Sequence, residues 1–256
     1  MKTLKLQFES LLDDEDIFYG ANGDKKIVES WIKDNYRIHG KLTISDDFVV
    51  YCSDYVSVKN KSITSLTNGL FRWGKLDGGF YCKSCNNLKS LEGAPKEVIG
   101  SFDCSDCAKL KTLEGAPKSV SRGFYCTGCA GLESLEGAPE SVGGYFDCRD
   151  CKNLTSLKGA PKRTKGDFSC GNCGNLKTLE GSPKEISGYF SCIKCDNLIS
   201  LEGAPEKVGG DFDCTGCNNL ISLKGVPKEV GGRFWCINCP NLKITDSDRK
   251  KYRICD

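Results

Sequence analysis

The sequence predicts a mainly β protein, a solenoid of 22-residue coils stacked on one parallel sheet and closed by a cap at each end. Three observations carry this reading. A unit with the frame F-x-C-x-x-C-x-x-L recurs eight times between residues 78 and 242, with no insertion or deletion, and all but the last carry a further leucine three residues on. The cysteine pairs Cys82/Cys85, Cys104/Cys107, Cys126/Cys129, Cys148/Cys151, Cys170/Cys173, Cys192/Cys195, Cys214/Cys217 and Cys236/Cys239 keep that period. The second half of most units holds glycine and proline, which break helices. Units of this size cannot bury an apolar side alone and must stack on their neighbours.

Residues 1–76 read as an N-terminal cap with a helix and strands. Asp24 is placed to cap a helix through residues 25–32, whose pairs Ile27/Trp31 and Val28/Ile32 share one apolar face. Residues 41–52 alternate weakly as a strand, at Leu42, Ile44 and then Phe48, Val49 and Val50. Ile63 and Leu66 have the spacing of an early coil without cysteines.

The solenoid proper covers residues 77–242. In the coil 100–121, Phe102 and Cys104 are two apart and point inward from a strand, while Asp103 points out. Strict alternation would send Cys107 outward, so the chain must bend at Ser105-Asp106. Leu110 and Leu113 continue the apolar side, Gly115 and Pro117 force an irregular return, and Val120 closes the coil. Residues 243–256 read as a C-terminal cap, because Thr245 stands where the repeat calls for leucine.

The segment F-x-C-x-x-C-x-x-L resembles the leucine-rich-repeat consensus L-x-L-x-x-[N/C]-x-x-L. In that likeness Phe102 and Cys104 fill the strand positions, Cys107 the corner and Leu110 the next core leucine. The family implies a leucine-rich-repeat-like solenoid. The chain departs from it in having Phe and Cys for strand leucines, and L-x-G-x-P in place of a helical back, which implies weaker curvature. The wording S-L-E-G-A-P-x-x-V-G-G, preceded by the stretch 41–50, is similar to uncharacterised repeat proteins encoded by tailed bacteriophages. That resemblance implies a host-cell cytoplasm and no established activity.

Composition narrows the function. The net charge is +2 and the pI about 7.8, without a basic stripe, which argues against nucleic acid. No apolar run reaches the ~20 residues of a membrane span. The N-terminus passes into Asp13-Asp14-Glu15-Asp16 without an apolar signal-peptide core. A cytoplasmic setting is expected, with eighteen cysteines as reduced thiols or metal ligands.

The sixteen paired cysteines are read as packing thiols, since both fall in core slots and free cysteine is a small hydrophobe. The alternative is a zinc or iron–sulfur protein in which sets such as Cys82, Cys85, Cys104 and Cys107 bind metal between adjacent coils. No cofactor is expected on the packing reading. His39 is the sole histidine and lies beside a turn, and no nucleophile elbow, P-loop or dinucleotide fingerprint occurs, so no enzyme is expected. The pair Asp211/Asp213 reads as solvated surface charge in preference to a glycosidase dyad.

The outward strand positions vary while the core positions barely do. One column reads Tyr81, Asp103, Tyr125, Asp147, Ser169, Ser191, Asp213, Trp235. Beside it run Gly79, Ser101, Gly123, Tyr145, Asp167, Tyr189, Asp211 and Arg233. Aromatic side chains are common interface anchors, and interleaved aspartates point to a protein partner bearing basic groups. The expected function is a non-enzymatic protein-binding scaffold; a carbohydrate-binding module is the further alternative. The back carries alternating Lys and Glu and reads as a solvated face.

Overall fold

The computed structural model describes residues 24–255, so the acidic run at 13–16 lies outside the described residues. Asp24 caps helix α1 (Lys25–Asn35), its carboxylate accepting from the Lys26 amide at 2.8 Å. Val28 and Ile32 are buried, whereas Ile27 is exposed and lies off the apolar face assigned to it. Strand β1 (Tyr36–Ile38) follows directly. The alternating stretch then folds as a hairpin, β2 (Leu42–Ile44) and β3 (Val49–Cys52), because Ser45 bridges its turn to the Val49 amide and carbonyl.

Strand β4 (Val56–Val58) opens the parallel ladder inside the segment read as the cap. Val56 pairs with Phe80 and Ser57 with Tyr81, and Ile63 and Leu66 of the same coil are buried. Next comes β5 (Arg72–Trp73), which joins the hairpin to make a three-stranded sheet. Each later coil gives two short strands: β6 (Phe80–Tyr81) and β7 (Glu97–Val98), β8 (Phe102–Asp103) and β9 (Ser119–Val120), β10 (Phe124–Tyr125) and β11 (Ser141–Val142), β12 (Phe146–Asp147) and β13 (Arg163–Thr164). The series continues with β14 (Phe168–Ser169) and β15 (Glu185–Ile186), β16 (Phe190–Ser191) and β17 (Lys207–Val208), β18 (Phe212–Asp213) and β19 (Glu229–Val230), then β20 (Phe234–Trp235). Helix α2 (Asp246–Tyr252) and strand β21 (Ile254–Cys255) close the described chain.

The protein is thus a β-solenoid, and one expectation about it needs correction. The predicted single parallel sheet is only half of the arrangement. The even-numbered strands from β4 to β20, with β1 antiparallel at one edge and β21 at the other, form an eleven-stranded sheet. The odd-numbered strands β7 to β19 form a second, seven-stranded parallel sheet where an irregular return was expected. Its signal was the column Val98, Val120, Val142, Thr164, Ile186, Val208, Val230, all β-branched and therefore suited to extended backbone. Glycine and proline on either side concealed it.

Between the two sheets lies a core of identical ladders. Phe80 through Phe234 stack ring over ring, with centroids 5.0–5.7 Å apart and planes within 18°. These distances match the ~4.8 Å step between paired strands, with a small offset that avoids a face-to-face sandwich. The first cap ends this stack with rings set edge-on: Trp73 meets Phe80 at 5.8 Å and 74°, and Trp73 also meets Tyr36 and Phe71. At the other end Ile254 pairs with Phe234, and Thr245, the residue that breaks the repeat, forms a capping box with Asp248.

The predicted bend after the first cysteine is present in every repeat. The second residue between each cysteine pair is left-handed: Ser84, Asp106, Gly128, Asp150, Asn172, Lys194, Gly216 and Asn238, at φ 55–73°. Lysine has neither the freedom of glycine nor the local hydrogen bonding of asparagine in that region. Replacing Lys194 by Gly is expected to raise stability by about 1 kcal/mol. The reverse holds at Gly137, where φ is +85° and an added Cβ would lie 2.4 Å from the Glu114 amide nitrogen. Gly137→Ala should lower stability by more than about 1 kcal/mol, and denaturant midpoints of the two variants check both signs.

Candidate binding face

The face is built by the way the chain leaves the long sheet. When a strand bends at its C-x-x-C corner, amides and carbonyls drop out of the ladder and need other partners. Outward aspartates supply some of them. Asp103, Asp147 and Asp213 accept from the backbone amides of Ser105, Arg149 and Thr215 at 2.9, 3.0 and 2.8 Å, which are Asx turns. In the neighbouring column Asp167 and Asp211 accept from the amides of Tyr189 and Arg233 in the next coil, each at 2.8 Å.

These aspartates are less open than solvated charges on a binding face would be. Every one of the five has an oxygen held by the protein's own backbone, and Asp147 is also gripped by the Arg149 guanidinium at 2.7 Å and is buried. The Arg233 amide and then the Trp235 indole hold the Asp211 carboxyl below the usual carboxylate range. A glycosidase acid needs a carboxyl kept protonated, and the Asp211 environment acts in the opposite direction.

Most of the aromatic residues are seated as well. Tyr81 and Tyr125 lie back over Gly79 and Gly123, where a Cβ would fall 2.5 and 2.4 Å from the phenol oxygens. This explains why glycine and tyrosine occur together in those two coils: the ring covers the backbone that glycine leaves bare. The Tyr189 hydroxyl donates to Asp213 at 3.0 Å, and burial together with that carboxylate's charge pushes its pKa up to about 12. The Trp235 indole donates to Asp211 at 3.1 Å, with Arg233 stacked 5.4 Å over its ring. Tyr145 is different. It is 53% exposed and stands near the middle of the face.

Cysteine satisfies the corner carbonyls, a role beyond packing that spacing in the sequence does not reveal. From the second pair onward, the second thiol of each pair donates to the carbonyl of the first cysteine one coil earlier. Cys107 reaches Cys82, Cys129 reaches Cys104 and Cys151 reaches Cys126, all at 3.2 Å, and the series runs on to Cys239 on Cys214 at 3.3 Å. Several first thiols donate forward, as Cys104 does to the Tyr125 carbonyl at 3.4 Å. All eighteen cysteines are free, and sixteen are buried. Burial pushes Cys148 and Cys170 well above the usual thiol range, and burial with the neighbouring Cys107 pushes Cys85 up to about 12. Among the described residues no group of three or more His, Cys, Asp or Glu side chains is placed to hold a metal ion. The set Cys82, Cys85, Cys104 and Cys107 does not converge on one point.

His39 is exposed and stacks on Tyr55 at 3.9 Å. On the back, Glu206–Lys228 at 2.6 Å, Glu202–Lys224 at 2.7 Å and Lys111–Glu133 at 3.2 Å join successive coils, so the alternating charges neutralise one another at the surface. No described helix is long and apolar enough to cross a membrane. Comparison with protein families, curated proteins and solved structures finds no match to the chain.

The thiol ladder has a pH signature. The folded-state pKa of Cys148 and Cys170 lies above the unfolded value, so their contribution is complete below about pH 8.5 and is lost as the pH rises beyond it. Each thiol that ionises only in the unfolded chain lowers stability by about 1.4 kcal/mol per pH unit. The denaturation midpoint is therefore expected to fall steeply between about pH 8.5 and 10.5. Cys239, half-buried at the end of the ladder, has the opposite sign. The Cys214 thiol, aided by the amides of Cys217 and Gly216, brings it down to about 7. Brief alkylation of the native protein near neutral pH, followed by peptide mapping, should label Cys239 ahead of the buried cysteines.

Proposed function

We propose that the chain is a non-enzymatic protein-binding scaffold whose contact surface is the outer face of the eleven-stranded sheet. The observation that carries this reading is Tyr145, a large aromatic side chain left 53% exposed on a surface where the neighbouring polar and aromatic groups have partners. Tyr81, Tyr125, Tyr189 and Trp235 flank it along the sheet, partly buried and fixed by glycine seats or carboxylates. A partner meeting this face finds rings whose ordering entropy has already been lost on folding, which favours affinity.

The partner chemistry follows from what the face leaves open. The ring of Tyr145 fits an apolar pocket, and the second carboxylate oxygens of Asp103 and Asp167, whose first oxygens hold backbone amides, suit lysine or arginine at its rim. A protein surface offers both, so a basic protein partner is the reading. The setting we infer is a reducing cytoplasm, because disulfide exchange would disrupt eighteen free thiols. The resemblance to phage-encoded repeat proteins supports a host-cell cytoplasm as that setting and a host protein as the partner.

The test separates binding from folding. Tyr145 contributes little to the core, so Tyr145→Ala combined with Tyr125→Ala and Trp235→Ala should reduce partner capture from host lysate by at least about tenfold. Tyr145→Ala alone should leave the thermal midpoint within about 2 °C of the parent, as surface substitutions do. Undiminished capture by the triple variant would move the binding site to another face.

A further inference from the structure

The two sheets end differently at the C-terminal side of the stack. On the long sheet β21 pairs with β20, and α2 precedes it. On the seven-stranded sheet β19 is the last strand, with no further strand beside it among the described residues. In the preceding coil the Lys228, Gly231 and Gly232 amides donate to the carbonyls of Glu206, Val208 and Gly210 at 2.8–2.9 Å. The equivalent carbonyls of Lys228, Val230 and Gly232, and the Val230 amide, have no partner among the described residues. The side chains agree with the backbone. Val98, Val120, Val142, Ile186 and Val208 are each 1% exposed, while Val230 alone in the column is only part-buried. Beside it is a hollow of about 540 Å³ bounded by Pro227, Val230, Phe234 and Tyr252, with Lys251 and Arg253 on its rim.

We propose that the β19 edge is a strand-addition site for an extended segment of a partner protein that reads acidic, basic, β-branched, glycine, glycine. The hollow is where the next valine of the ladder would sit. The charge order follows from the pairs already formed across the last rung. Lys228 meets Glu206 at 2.6 Å and Glu229 meets Lys207 at 3.0 Å, so signs alternate from strand to strand. A strand added in the same register continues the alternation only if it presents an acid beside Lys228 and a base beside Glu229. The chain's own segment 205–210, Pro-Glu-Lys-Val-Gly-Gly, has that order and pairs with β19 from the other side, with Val208 opposite Val230.

A second copy of the chain stacked head to tail does not meet the requirement. Its first strand on this sheet, β7, is not open to a partner, because Leu76 already pairs with Val98 on the outer side and Lys75 meets Glu97 at 3.6 Å. The matching edge at the other end of the stack is thus closed within the chain, and the β19 edge is left to a foreign strand. This site is separate from the face proposed above, and either can fail without the other.

The test uses the full chain and two capped heptapeptides, Ala-Pro-Glu-Lys-Val-Gly-Gly and its charge-swapped form Ala-Pro-Lys-Glu-Val-Gly-Gly, with affinity measured by calorimetry. The first should bind one to one and the second at least about tenfold more weakly. Val230→Lys, which places a charge on the floor of the groove, should abolish binding of the first peptide. Its thermal midpoint, compared with the parent, shows whether the fold is kept, and the peptide swap decides the matter if it is not. Equal binding of both peptides, or none at about 1 mM, overturns the proposal. So does a parent chain whose mass in solution is that of a dimer and returns to a monomer in Val230→Lys.

Discussion

Everything in this molecule depends on equal coil length. Because the repeats keep one period of 22 residues, the amide of each strand residue meets the carbonyl of a matching neighbour one coil away, at 2.7–3.4 Å throughout the stack. Phenylalanine then lies on phenylalanine, thiol on corner carbonyl and valine on valine. A single inserted residue would turn the inward Phe and Cys of one strand outward and expose a step in every ladder at once. This explains why core positions tolerate almost no variation between coils while outward positions differ freely. The constraint acts on the backbone first, and the side-chain ladders are its consequence.

Cysteine at the corners follows from the same geometry. The bend brings the second residue of the pair against the carbonyl of the preceding coil, where a small apolar side chain with a donor is needed. Serine would be a stronger donor but would cost more to desolvate, and valine has no donor. The first coil supplies a natural comparison. It has Val58 and Ile63 in place of the cysteines, its corner is longer, and the amides of Lys59 and Asn60 are satisfied by the Asn35 carbonyl at the end of α1. Without sulfur, the coil turns against a helix terminus, whose carbonyl takes up the corner amides where the thiols elsewhere take up corner carbonyls.

The coil period, the bend between the cysteines, the helix behind Asp24 and the early coil at Ile63 and Leu66 could all be read from spacing, since each is a local pattern with one physical cause. The second sheet could not be read so easily, because a two-residue strand leaves one β-branched residue per coil as its only mark. The candidate face was half visible. Which positions point outward follows from alternation, but the engagement of Asp103, Asp147, Asp167, Asp211 and Asp213 with backbone amides depends on distances across a turn or between coils. Variation along those columns therefore mixes two causes. Some of it is Tyr on Gly or Asp on amide, which belongs to folding, and Tyr145 is what remains once those are removed.

The two ends of the stack also differ in when they are made. The plug of Trp31, Tyr36, Phe71 and Trp73 leaves the ribosome before any repeat, and its rings present a finished surface to Phe80. Translation at about 5–20 residues per second delivers a new coil every few seconds, far slower than a short strand needs to pair. Each nascent coil thus meets a completed predecessor as its template, and the growing end never exposes more than one rung of apolar surface. Synthesis in this direction turns a topology made mostly of non-neighbouring contacts into a series of local additions, seeded by an aromatic block.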